Sequence, residues 1–263
     1  HAALEAADVA LVVGSSLDQA GTRFWTLPLP ENLIQIDTCA DVIGRNYPVA
    51  AGLVGDAKAV LGQLLEELKK YPSSERSEAV DRVAVIRRQR EESAKENEGW
   101  QYMRAVQEAL PRDAFVTNDA SQANGWAVRY LDRYLPRTMN ITSNMAALGY
   151  AIPGAIGAKL AYPDRQALAI IGDGGFLFTA YTLATAVQHH LNAVVVVFDD
   201  KCYTTVKKGQ MREFDRAIGV DLQNPDFVQF ARAHGAAGVR ARNPEELHDA
   251  LLAAWERDVP TVI

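Results

Sequence analysis

Asp173 stands between Gly172 and the pair Gly174-Gly175, and an acidic pair, Asp199-Asp200, follows further along the chain. Two carboxylates brought together suit a hard divalent cation such as Mg2+. Glycines on both sides of Asp173 let backbone N–H groups approach an anion closely at the start of a helix. These residue types predict a cation and a phosphate held side by side, with Asp173 and Asp200 on the cation. Gly-Asp-Gly taken alone also fits an ordinary strand-to-helix turn.

For the two acidic groups to meet, the elements carrying them must end at one edge of one sheet. Residues 166–171 are an apolar run that reads as a buried parallel strand, residues 179–190 have helical composition, and residues 193–198 form a second buried strand running into Asp199-Asp200. That is a βαβ unit, and its right-handed crossover puts both strand ends on the same edge. Upstream, residues 114–117 read as another strand, followed by Asn118-Asp119-Ala120-Ser121-Gln122 and a helix through Tyr134. Small polar residues there can present N–H and hydroxyl groups to a phosphate, or simply cap the helix. Residues 142–153 lead into Gly154-Ala-Ile-Gly-Ala158, whose small side chains allow close helix packing.

The pattern resembles the thiamine diphosphate signature, a Gly-Asp-Gly followed some two dozen residues later by a strand ending in Asn-Asn; here that pair is Asp199-Asp200. The chain is similar to acetolactate synthase and benzoylformate decarboxylase-type enzymes. The resemblance implies cofactor contacts at Asp173, Gly174, Gly175 and Asp200, and at Ser121 and Gln122 for the distal diphosphate. Ala123 stands where the family often has an imidazole. It further implies that Leu148 bends the cofactor and that the Ala146 carbonyl meets its aminopyrimidine. The metal ligands it implies are Asp173, Asp200 and the main-chain carbonyl of Cys202. As a nucleophile Cys202 has no histidine placed beside it by the sequence.

The implied activity is that of a lyase or transferase, a decarboxylase or carboligase of 2-oxo acids, using thiamine diphosphate and Mg2+. The family's essential glutamate lies in a pyrimidine-binding domain that this chain does not match. The 263 residues are therefore expected to carry no catalytic residue of their own and to be inactive in isolation. Gly209 aligns with a tryptophan usual in acetolactate synthase, so related decarboxylases stay open. Two further readings are a cofactor-binding module without activity and a flavodoxin-like nucleotide-binding protein.

Around this site the fold expected is α/β, a doubly wound parallel sheet over residues 99–263. A linker helix over 73–98, dense in Arg, Glu and Lys, precedes it, and residues 1–72 read as the C-terminal half of a Rossmann-like central domain. In that first part residues 8–13 and 33–36 are expected as buried parallel strands, and Asp56 as the N-cap of a helix through Lys70. Resemblance to the family's central domain makes FAD possible. Net charge is −6 with pI near 5.4, and no basic cluster could track a phosphate backbone, so nucleic acid is not an expected partner. No run is long enough for a membrane span, and Cys39 and Cys202 are the only cysteines, which suits a cytoplasmic setting. The resemblance also implies a homodimer or homotetramer with sites at the subunit interface.

Overall fold

A computed structural model describes residues 2–19, 21–71, 77–142 and 145–263. The chain divides into two units, His1–Ser93 and Ala94–Ile263. The first contains α1 (Ala2–Glu5), β1 (Val9–Val13), β2 (Asn32–Asp37), β3 (Ala51–Val54), α2 (Ala57–Leu68) and nearly all of α3 (Ser77–Ala94). The strands pair in the order β1-β2-β3, all parallel. β2 lies in the middle and buries Leu33 and Ile36. Gln35 is also buried, and its amide is fully used: Nε2 donates to the Ser15 carbonyl at 3.0 Å and Oε1 accepts from the Gly44 N–H at 2.9 Å.

Two features of this unit differ from expectation. β1 is an edge strand rather than a buried one, with Val9 54% and Leu11 45% exposed. β3 is an additional strand whose Ala-Gly-Leu-Val sequence is too short and too weak in β-propensity to stand out. Glycine is required within it, since a Cβ on Gly52 would lie 2.5 Å from the Ile43 side chain. α2 starts at its expected cap, the Asp56 carboxylate accepting from the Ala59 N–H at 3.0 Å, but its Leu61, Leu65 and Leu68 stay exposed. α3 is solvated, as its charge predicts, with Val80 and Val83 exposed. The boundary expected between residues 72 and 73 lies outside the described residues.

The second unit contains α4 (Glu98–Ala109), β4 (Phe115–Asn118), α5 (Gln122–Tyr130), β5 (Met139–Ile141), α6 (Ala151–Ala161), β6 (Ala167–Gly172), α7 (Asp173–Thr179) and α8 (Leu183–Gln188). It continues with β7 (Val194–Phe198), α9 (Thr204–Phe214), α10 (Phe227–Ala233), β8 (Ala237–Gly238), α11 (Pro244–Trp255) and β9 (Thr261–Val262). Six parallel strands form one sheet in the order β5-β4-β6-β7-β9-β8. Alternation along β6 sends side chains to opposite faces. Ala167, Ala169 and Ile171 pack with Ile152 of α6, Phe176 of α7 and Ala231 of α10. Leu168 and Ile170 pack with Met103 and Val106 of α4 and Leu251 of α11. Each fully buried Leu, Ile or Val contributes about 1.5–3 kcal/mol, and with helices on both faces this is the doubly wound α/β architecture expected.

From β4 the chain moves outward to β5, crosses back to β6, and proceeds the other way to β7. The strand order therefore reverses between β4 and β6, and open α/β sheets bind ligands in the crevice beyond the carboxyl ends at such a point.

Two element boundaries are corrected. The helix after β6 starts at Asp173, not near residue 179, and breaks into a short 3-10 turn at Ala180–Thr182 before α8. The break follows from Thr179, which leaves helical geometry (φ −137°, ψ 12°) while its hydroxyl donates to the Gly149 carbonyl at 2.8 Å. α5 ends at Tyr130 instead of Tyr134 because Leu131 turns to an extended conformation.

Candidate functional site

Asp173 is the first residue of α7 and is 2% exposed. One carboxylate oxygen accepts from the Gly174 N–H at 2.8 Å, the other from the Asn224 side-chain amide at 2.6 Å. Burial pushes its pKa up, the bonds from Asn224 and Gly174 pull it down, and the Asp200 and Asp199 carboxylates push it up again. The end of β6 and the end of β7 thus bring these acidic groups within electrostatic reach, as the βαβ reading requires. Asp199 and Asp200 are exposed, and Asp200 accepts a short hydrogen bond from the Thr204 hydroxyl.

Three glycines give the neighbouring backbone its close approach. A Cβ on Gly174 would lie 2.3 Å from the Tyr203 ring, so that ring sits directly against the α7 start. A Cβ on Gly172 would meet the Ser121 side chain at 3.2 Å, which places the turn after β4 beside the end of β6. One on Gly175 would meet the Asp119 carboxylate at 3.2 Å. Ser121 caps α5, its hydroxyl accepting from the Asn124 N–H at 3.2 Å, and Gln122 accepts a short hydrogen bond from the Lys208 ammonium of α9.

The sequence reads Asp119 as one of a run of polar residues that present groups to a phosphate or cap a helix, and its part is larger. It is fully buried, one oxygen accepting from Gly149 N–H at 2.6 Å and the other from Ala120 N–H at 2.8 Å. Burial raises its pKa, while the N–H groups of Gly149, Ala120, Ala151 and Tyr150 act in the opposite sense. The carboxylate thereby joins the turn after β4 to the start of α6.

Gly149 also joins the loop before α6 to α7. Its φ is +88°, and a Cβ would lie 2.8 Å from Thr179 and 2.9 Å from Phe178. In the same loop Ala146 is exposed in a left-handed conformation (φ 47°) and Leu148 is half-buried. Ser143 and Asn144 of this loop lie outside the described residues. The Cys202 carbonyl accepts from the Thr204 N–H at 2.9 Å, and Cys202 bridges to Asp221 in antiparallel fashion.

Sequence reasoning missed Asn224. Its amide nitrogen donates to both Asp173 and Asp199, at 2.6 and 2.7 Å, while its carbonyl oxygen is buried without a partner. Nothing in the local Gln-Asn-Pro-Asp sequence signals a contact with a residue 51 positions away.

Among the described residues no three His, Cys, Asp or Glu side chains are grouped to hold a metal ion by themselves. A Mg2+ site does not need three, because this ion is commonly bound by one or two carboxylates, with water and phosphate oxygens completing its shell. Two interacting carboxylates and an orphaned amide oxygen are hard oxygen donors, so the residues present fit such an ion.

Comparison with known proteins gives concordant results. The family model described as thiamine pyrophosphate enzyme, C-terminal TPP binding domain, matches residues 119–263, and that described as thiamine pyrophosphate enzyme, central domain, matches residues 1–64. An acetolactate synthase of Bacillus subtilis (strain 168) is 30% identical over 268 residues, covering 99% of this chain and 47% of that protein. A probable 2-ketoarginine decarboxylase of Pseudomonas aeruginosa is 34% identical over 275 residues, covering 98% of this chain and 46% of that protein. Among solved structures, the thiamine diphosphate-dependent 4-hydroxybenzoylformate decarboxylase of Rhodococcus jostii RHA1 has the same fold. Its TM-score is 0.77 at 22% identity, over 99% of this chain and 49% of that one. The chain spans about half the length of the curated relatives it matches.

Proposed function

The chain belongs to the thiamine pyrophosphate enzymes, and from that premise we propose that it forms the diphosphate- and Mg2+-holding part of a 2-oxo acid decarboxylase or carboligase. The observation that carries this is the meeting of buried Asp173 with the Asp199-Asp200 pair beyond the carboxyl ends of β6 and β7. In this reading Asp173, Asp200 and the Cys202 carbonyl hold the cation. Ser121, Gln122, Gly174 and Gly175 line the diphosphate. Leu148 orients the cofactor, and the Ala146 carbonyl accepts from its aminopyrimidine. Bound thiamine diphosphate supplies an electron sink for breaking a bond next to a carbonyl. The chain's own share is to bind, orient and neutralise.

We place catalytic proton transfer outside these 263 residues, which would leave them binding cofactor without turnover. The reading includes a homo-oligomer with sites at subunit boundaries, and the exposure of Met145 in the 145–149 loop, Phe178 of α7 and Tyr181 in the turn after it supports it.

Calorimetric titration of thiamine diphosphate into the chain with Mg2+ tests this. The parent should bind in Mg2+ and lose affinity in EDTA, and Asp173→Ala should abolish the Mg2+-dependent part. Metal-independent binding of FMN in place of thiamine diphosphate would overturn the proposal in favour of a flavodoxin-like one.

A further inference from the structure

Three carboxylates near one site carry more negative charge than a divalent cation cancels, before any phosphate arrives. A neutral donor that binds carboxylates without adding charge relieves this, and Asn224 has that place. Its two amide hydrogens are spent on Asp173 at 2.6 Å and Asp199 at 2.7 Å. Asp200 is engaged differently, by the Thr204 hydroxyl. The two members of the acidic pair therefore have separate partners: Asp199 is tied back to Asp173 through Asn224, and Asp200 is held by Thr204.

We infer that Asn224 is a positioning residue that assigns roles within the acidic pair, withdrawing Asp199 from the cation so that Asp200 is the ligand. This rests on the cofactor reading above and deepens it. By fixing one oxygen of Asp173, Asn224 also sets the direction in which that carboxylate offers its remaining lone pairs. The amide oxygen of Asn224, buried without a partner, needs a donor, and a water bound to the cation supplies one.

The test is a double-mutant cycle read by electron paramagnetic resonance of Mn2+, titrated in saturating thiamine diphosphate into the parent, Asn224→Ala, Asp199→Asn and the double variant. Loss of hydrogen bonds to charged groups should weaken Mn2+ binding roughly tenfold in Asn224→Ala. In the Asp199→Asn background there is no charge left to withdraw, and the same change should cost only about threefold, from the lost bond to Asp173. Melting curves establish that each variant folds, and Asn224→Ser carries the same expectation should the alanine variant not fold. Equal losses in both backgrounds would make Asn224 a general structural residue and overturn the inference, as would no loss at all. If the parent itself binds no Mn2+ in the presence of cofactor, the cofactor reading fails and this inference fails with it.

Discussion

Asp200 tests the electrostatics of the site with a single atom change. A carboxylate near a diphosphate is repulsive without metal and attractive to a doubly charged ion once it is bound. Asp200→Asn should therefore weaken Mg2+ binding by at least the ~10–100-fold that supporting groups alone contribute to metal sites. Residual metal-free affinity for thiamine diphosphate should rise. Titrations of both proteins in EDTA and in Mg2+ read this out, and equal metal dependence would remove Asp200 from the cation.

Asp119 makes a prediction about pH. Burial holds its carboxyl above the ordinary value, so ionisation costs the folded protein more than the unfolded chain. The stability it contributes is full below the unfolded carboxyl value, about 3.9, and is lost as pH rises through the raised folded value. Asp119→Asn does not titrate and gives up an acceptor for buried N–H groups, a loss of about 1–3 kcal/mol. The gap in stability between parent and variant should be wider at acid pH than at neutral pH, measured by denaturant unfolding at each. A gap that widens toward neutrality would contradict the direction assigned to this group.

At the scale of elements, the site depends on how three turns are held against one another. Gly149 combines a close approach with a positive φ, Thr179 and Phe178 lying where a Cβ would be. Gly149→Ala should destabilise the protein by at least ~1 kcal/mol from backbone strain alone, and by more if α7 has to move. A melting temperature unchanged from the parent would show that the loop before α6 does not depend on this approach.

The long apolar strands β6 and β7, the Gly-Asp-Gly turn and the acidic pair were legible in sequence because their patterns are local. β3 and β5 were not, since four and three residues of mixed character carry too little periodicity. The exposed leucines of α2 have a helical stripe that identifies a face without saying whether anything covers it. Asn224 and the bridging part of Asp119 escaped for another reason. Their meaning lies in partners 51 and 30 residues away, which only the fold brings to them.

At the scale of the whole molecule, the doubly wound sheet presents the ends of β4, β6 and β7 at one edge, and the residues assigned to the cofactor come from that edge and the loops beside it. Among the described residues no helix is long and apolar enough to cross a membrane. The proposal assigns this chain cofactor binding and not turnover, so the purified 263 residues should show no useful decarboxylation of pyruvate or benzoylformate in saturating thiamine diphosphate and Mg2+. General acid–base catalysis of the kind placed elsewhere is typically worth ~10²–10⁴-fold. Substantial turnover would mean that a proton-transfer group lies within the chain.

In the proposed function one cation binds between Asp173 and Asp200 and holds the diphosphate there. A crystal of the chain grown with thiamine diphosphate and Mn2+, with data collected at the manganese absorption edge, tests it most directly. A single anomalous peak is expected within coordination distance of both carboxylates, about 2.1 Å for a Mg2+-like ion, with a diphosphate oxygen completing its shell. A cofactor bound with the metal elsewhere, or with Asp173 still held by Asn224 and no metal beside it, would take the cation away from this pair of carboxylates.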